Sequence, residues 1–445
     1  MGKLFGTDGI RGVANEVLTP ELVYGIARCA GYYFTKHETN PKILIGKDTR
    51  ISGDMIEAAL SLGFTSVGVE VIKLGVVTTP AVAYLTKNTE AVAGVMISAS
   101  HNPMEDNGIK FFSNEGFKLQ DSVEDEIEEL YFIKKELPYP TGEKVGIVKE
   151  DKSLQNMYLE YLKTTISNKF NGIKVGLDCA NGSAYDLAPK LFEELGAQVH
   201  TIFNTPDGTN INKNCGSTHP EELAKYVVEQ GLDLGFAFDG DADRLIAIDK
   251  TGAEIDGDFI LAICGKHLKE QGKLPGGVVV STVMANLGFD LACQREGLEP
   301  IKTKVGDRYV LEEMLKGGYT LGGEQSGHII FLEHGTTGDG ILTAVQLLDT
   351  LISLGQDLSD AKTILEKLPQ VLINVKVNDK EKYLTSTKIS SKVEEVEGKL
   401  GSTGRVLVRP SGTENLIRVM IEGKNPQEIK ELAEEIASVI KTELA

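Results

Sequence analysis

Asp239, Asp241 and Asp243 alternate in the stretch FDGDADR, residues 238–244. In an extended loop a period of two points three carboxylates the same way, and such charges repel unless a cation sits among them. An EF-hand would need Gly at the sixth position and Glu at the twelfth, where this chain carries Arg244 and Lys250. Calcium-sensor chemistry is thereby excluded. An all-oxygen site with open coordination positions suits Mg²⁺ bridging to a phosphate oxygen. The apolar flanks GFAF and LIAID set the loop apart from a solvated acidic turn.

A second donor-rich stretch is VRPSGTENLIRV, residues 408–419, with Arg409, Ser411, Gly412, Thr413, Asn415 and Arg418. Two guanidiniums, two hydroxyls, an amide and a glycine that frees backbone N–H groups match what a phosphate dianion takes. The stretch is neither a Walker A loop nor a GxGxxG turn. GGEQSGH, residues 322–328, sets Glu324 and Ser326 between glycines with His328 beyond, small groups suited to a sugar hydroxyl or amine. Taken alone it is a Gly-rich turn. KVGDR, with Lys304, Asp307 and Arg308, is a weaker candidate still.

The stretch GVMISASHNPMEDNGIKFFS, residues 94–113, runs from an apolar strand into Ser100, His101 and Asn102, with Lys110 beyond. By itself Ser100 reads as a turn or helix-capping serine. A seryl oxygen is a poor nucleophile without a base, and the chain shows no Gly-x-Ser-x-Gly elbow. If Ser100 carries a phosphoryl group, of charge about −1.5 to −2, it completes the Mg²⁺ shell that three aspartates leave open. His101, Lys110 and Arg11 of TDGIRG would then hold charge or relay protons around the transferring group. The Arg/Ser/Thr loop would grip a second phosphate, already on the substrate.

Positioning these loops requires several domains. The chain has 445 residues, 41% apolar and 25% charged, with 48 glycines, as in a globular α/β protein. Short apolar runs alternate with amphipathic stretches up to about residue 365, the βαβ signature. One plan recurs three times: a strand leading into a helix (42–50, 173–184, 277–289), a second strand with a polar loop (69–80, 197–208, 299–308), and a third strand carrying an unusual loop (93–103, 235–244, 319–328). The expected fold class is α/β, with three similar mixed-sheet α/β domains (1–152, 153–254, 255–367) and a smaller C-terminal α+β domain (368–445) around a central cleft. Asn425 and Pro426 are expected to cap and open the last helix.

A net charge of −19 with no Lys/Arg-rich run argues against a nucleic-acid surface, so an anionic substrate must be met by local basic groups. Five scattered cysteines form neither a CxxC pair nor a zinc spacing and are expected as free thiols in a reducing compartment. No export signal and no apolar run of membrane-spanning length are read, so a cytoplasmic protein without membrane contact is expected.

The loops SASHNP, DGDADR, GEQSGH and RPSGTEN occur in the order found in the α-D-phosphohexomutase superfamily, and the whole chain resembles its members. FGTDGIRG and GGEQSGH resemble the bacterial branch acting on glucosamine phosphates more than the branches acting on mannose or glucose phosphates. The resemblance implies interconversion of glucosamine 6-phosphate and glucosamine 1-phosphate, towards UDP-N-acetylglucosamine and cell-wall precursors. Ser100 would be the phosphoserine and a 1,6-bisphosphate the bound intermediate and activator. One Mg²⁺ per subunit would sit on Ser100, Asp239, Asp241 and Asp243. His101 and Lys110 would be proton-transfer candidates, with Arg11 beside them, and Arg244 would orient the phosphoserine. Glu324, Ser326 and His328 would bind the sugar; Arg409, Ser411, Gly412, Thr413, Asn415 and Arg418 would hold the distal phosphate. A homodimer is implied. Rival readings are another hexose specificity in the superfamily, a haloacid-dehalogenase-type phosphatase with Asp239 as nucleophile, and a sugar-phosphate sensor without turnover.

Overall fold

The computed structural model describes residues 4–6, 8–411 and 415–444. They form two compact units, one comprising residues up to Met284 with Leu298–Thr363, the other Ala285–Gly297 with residues from Ile364 onward.

The first unit holds three mixed sheets built on one plan. In each, a central strand (Lys42–Lys47, Lys174–Asp178 or Val278–Thr282) pairs in parallel with the next strand on one side (Glu70–Val76, Gln198–Ile202 or Glu299–Thr303). On its other side lies a third parallel strand: Ala93–Ile97, Leu234–Phe238 or Leu321–Gly323. The chain then reverses into an antiparallel partner: Asp106–Ser113, Leu245–Asp249 or Ile329–Phe331. The expected threefold repeat is present in the strand order itself. Ala93–Ile97, Leu234–Phe238 and Val278–Thr282 are buried over their whole length, the reason the first two read as unbroken apolar runs.

The reversal after each third strand is where the unusual loops fall. SASHNP, DGDADR and EQSGH each link a parallel strand to its antiparallel neighbour, at the carboxyl end of the parallel strands where open α/β sheets bind ligands.

The second unit is a three-stranded antiparallel sheet with Leu416–Gly423 between Gln370–Lys376 and Gly404–Pro410, covered by the helices Thr387–Leu400 and Pro426–Leu444. Asn425 caps the last helix, its Oδ1 accepting from the Gln427 N–H at 3.1 Å. The helix Leu287–Glu296 joins this unit because the fully buried Glu422 accepts from Leu287 N at 3.0 Å and Asn286 Nδ2 at 3.1 Å. Among the described residues no helix is long and apolar enough to cross a membrane, and all five cysteines are buried free thiols.

Candidate active site

Ser100 is buried and sits in the left-handed region at φ 52°, a conformation that costs a non-glycine residue about 1–2 kcal/mol. The loop is held in it from several directions. Ser100 N–H donates to Ser98 Oγ at 2.9 Å. The Arg50 guanidinium donates to the carbonyls of Ser100 (2.9 Å), Asn102 (2.8 Å), Asp106 (2.9 Å) and Pro103. Asn212 Nδ2 donates to the Ser100 and Asn102 carbonyls at 2.8 and 3.1 Å. Asp48 accepts from Arg50 Nε at 2.9 Å and from Ser98 Oγ at 2.6 Å, closing the network.

The constraint aims Ser100 Oγ at the aspartate loop, where it donates to Asp239 Oδ2 at 2.6 Å. Asp239, Asp241 and Asp243 are buried, and one carboxylate oxygen from each lies within 4.8 Å of the others. Asp241 Oδ1 and Asp243 Oδ1 are buried and accept no hydrogen bond among the described residues. Orphaned carboxylate oxygens converging beside a seryl oxygen fit a hard divalent cation. Burial, then Asp243 and Asp241, pushes the Asp239 carboxyl well above its ordinary value.

The two loops touch through glycine. A Cβ on Gly240 would lie 2.5 Å from the Ser100 carbonyl oxygen and 2.8 Å from Asn212 Nδ2. Gly240→Ala is therefore expected to cost about 1–3 kcal/mol and, by displacing Ser100 from the aspartates, to lower kcat about 10²-fold. Urea midpoints and steady-state kinetics check both; unchanged kcat would mean the spacing between the loops is not critical.

Lys110 is buried and donates to Asp241 Oδ2 at 2.7 Å, with Asp243 at 3.6 Å and Asp8 at 3.9 Å. Burial pulls its ammonium down, but Asp241, Asp8 and Asp243 outweigh it and hold Lys110 charged. Thr79, at the first turn of the helix Thr79–Lys87, donates Oγ1 to Asp241 Oδ2 at 2.6 Å and its N–H to the Asp241 carbonyl at 3.0 Å. His101 Nδ1 lies 3.2 Å from Ser100 Oγ. Burial, then Arg244, lowers its imidazole to about 4, so the ring is neutral at pH 7. Arg11 pairs with Asp8, and Arg244 N–H donates to Asp239 Oδ1 at 3.2 Å.

The sugar-loop candidates adjoin this centre, since Leu245 N donates to the Gly327 carbonyl at 3.0 Å. Glu324 Oε1 accepts from Gly306 N at 3.1 Å, Ser326 is exposed, and His328 is buried. In the second unit Arg409 and Arg418 are direct cross-strand partners, and Ser411 is buried with its carbonyl accepting from Lys380 Nζ at 2.8 Å. Burial followed by Arg418 holds the Arg409 guanidinium below its ordinary value. Asn415 is exposed; Gly412 and Thr413 lie outside the described residues.

Sequence models of four phosphoglucomutase/phosphomannomutase domains match this chain in order: alpha/beta/alpha domain I at residues 2–137, domain II at 156–252, domain III at 256–368 and the C-terminal domain at 372–439. The chain belongs to the phosphoglucomutase/phosphomannomutase family. It is accordingly an enzyme of the phosphohexomutase class, an isomerase. It is 55% identical over 444 residues to a protein of Clostridium novyi named phosphoglucosamine mutase, covering 99% of both chains. It is 56% identical over 442 residues to one of the same name from Carboxydothermus hydrogenoformans, covering 99% of this chain and 100% of the relative. A solved phosphoglucomutase/phosphomannomutase family protein of Burkholderia thailandensis has the same fold, with TM-score 0.82 at 23% identity over 99% of this chain and 98% of that one. So does Aspergillus fumigatus N-acetylphosphoglucosamine mutase, solved in complex with GlcNAc-6P and magnesium, with TM-score 0.68 at 17% identity over 99% and 96%.

Four residues at this centre escape a motif reading: Arg50, Asn212, Thr79 and Asp8. Arg50 and Asn212 lie in polar stretches after strands, KDTR and NINKN, where the sequence signals only a turn. Asp8 lies inside FGTDGIRG, where only Arg11 stands out as a candidate by sequence.

Proposed function

We propose that the chain interconverts glucosamine 6-phosphate and glucosamine 1-phosphate through a phosphoserine at Ser100 and a bound 1,6-bisphosphate, a step towards UDP-N-acetylglucosamine. The chemistry rests on Ser100 Oγ lying 2.6 Å from Asp239 within the buried aspartate trio. The choice of sugar is supported by the full-length similarity to relatives named phosphoglucosamine mutase.

In this reading phospho-Ser100 gives its phosphoryl group to the free hydroxyl of the sugar monophosphate. The P–O bond to Ser100 breaks as that to the sugar oxygen forms, and the hydroxyl proton leaves to a base. The bisphosphate turns over in the site, and Ser100 Oγ takes the other phosphoryl group. Asp239, Asp241 and Asp243 would hold Mg²⁺, which when bound neutralises charge on the transferring group. His101, 3.2 Å from Ser100 Oγ, is placed to exchange a proton there. Lys110, fixed on Asp241, supplies positive charge. Arg244 orients the phosphoserine, Glu324, Ser326 and His328 bind the sugar, and Arg409, Ser411, Gly412, Thr413, Asn415 and Arg418 hold the distal phosphate. The four-domain division at 1–152, 153–254, 255–367 and 368–445, a cytoplasmic location and a homodimer belong to the same reading.

Assay of the phosphorylated enzyme with glucosamine 6-phosphate, glucose 6-phosphate and mannose 6-phosphate tests the sugar; a preference for glucose 6-phosphate would overturn it. For the metal, Mg²⁺ at 100 times its Kd is expected to stabilise the fold by about 2.7 kcal/mol, read as a rise in melting temperature. Asp239→Asn with Asp243→Asn should abolish the rise, and its persistence in the double variant would place the ion elsewhere.

A further inference from the structure

An amino sugar makes a demand that the residues placed so far leave open. A protonated 2-amino group entering a partly buried site needs a carboxylate opposite it. Glu324 is partly committed, its Oε1 holding the Gly306 N–H at 3.1 Å. The residue after Gly306 is Asp307, which begins the helix Asp307–Gly317. Its Oδ2 accepts from Lys118 Nζ at 2.7 Å and lies 3.7 Å from His328 Nε2 in the sugar loop. Asp307 thus stands between two residues expected to bind the sugar.

Several features mark this as a place for a ligand cation. His328 is only 4% exposed, yet neither of its ring nitrogens makes a hydrogen bond among the described residues. Lys118 is shared between Asp8 Oδ1 at 2.5 Å and Asp307 Oδ2 at 2.7 Å, while Asp8 is also paired with Arg11, so Asp307 has only part of one ammonium for its charge. The side chain of Asp307 keeps 25% of its surface exposed. It lines a cavity of about 560 Å³ together with Asp8, Lys110, Lys118 and Thr336, within the range of about 300–1,000 Å³ usual for small-molecule sites. The wall is steadied from the opposite side, where Thr336 Oγ1 donates to the Gly116 carbonyl at 2.5 Å, two residues before Lys118.

We propose that Asp307, steered by Lys118, is the specificity-determining residue that pairs with the 2-ammonium group of the substrate. The proposal rests on the amino-sugar reading above. Its alternative is that Asp307 only ties Lys118 to the Asp307–Gly317 helix. The test is competition between glucosamine 6-phosphate and glucose 6-phosphate in one mixture, with enzyme primed by glucose 1,6-bisphosphate, for wild type and Asp307→Asn. The ratio of the two kcat/KM values does not depend on how much enzyme is folded, so a poorly folding variant still reports.

Losing one charge-assisted contact is expected to shift that ratio against glucosamine 6-phosphate by about 10- to 100-fold. An unchanged ratio, whether activity is kept or lost equally for both sugars, would make Asp307 a strut and overturn the proposal. A wild-type preference for glucose 6-phosphate would instead sink the amino-sugar reading, visible before any variant is made.

Discussion

Ser100→Ala is expected to remove mutase activity with glucosamine 6-phosphate by a factor on the order of 10⁴ or more. The substitution deletes the one oxygen that donates to Asp239 at 2.6 Å and spares what shapes the loop. Arg50 and Asn212 hold the carbonyls of residues 100 and 102, not the hydroxyl. Alanine at φ 52° bears a left-handed strain similar to that of serine, so the variant should melt within a few degrees of the parent. Intact-mass analysis after incubation with a hexose bisphosphate should find phosphate on the parent at Ser100 and none on the variant. Activity within tenfold of wild type, or phosphate mapping to an aspartate, would refute the carrier role.

Arg50→Met should be the most damaging change outside the reacting groups. Arg50 is 3% exposed, Asp48 1%, and their ion pair is buried at 2.9 Å. Burial already lifts the Asp48 carboxyl above its ordinary value even with Arg50 beside it. Deleting the cation leaves that acid uncompensated, a loss of about 3–5 kcal/mol. The same change releases four carbonyls of the serine loop. A displacement of about 1 Å at a reacting group costs about 10²-fold, so kcat should fall by at least that in the fraction that folds. Arg50→Lys should rescue little, because an ammonium lacks the planar fork that reaches several acceptors at once. Denaturation midpoints together with kcat per folded molecule check this; a stable variant with normal kcat would show that the loop holds its shape without the guanidinium.

Much of the site was legible in the chain because its signals are local. The alternation of Asp239, Asp241 and Asp243 between apolar strands follows from strand periodicity, and the structure converges their oxygens within 4.8 Å. The threefold plan was readable because each sheet keeps the same succession of strands and puts its reversal loop at the same place. The cap at Asn425 lies next to the helix it opens. The family and its order of loops were likewise written in contiguous motifs.

What only the tertiary structure decided are the contacts that make those motifs act together. The left-handed Ser100 depends on Arg50, 50 residues away, and on Asn212, 112 residues away. Lys118 meets Asp307 across 189 residues, and Lys110 meets Asp241 across 131. By sequence Lys110 is a candidate to hold charge or relay protons, and the fold supplies the three carboxylates that keep it a cation. Local spacing sets which way a side chain leaves its own strand or turn, but a buried charge takes its role from the partners that folding brings to it, and those partners are distant in the chain.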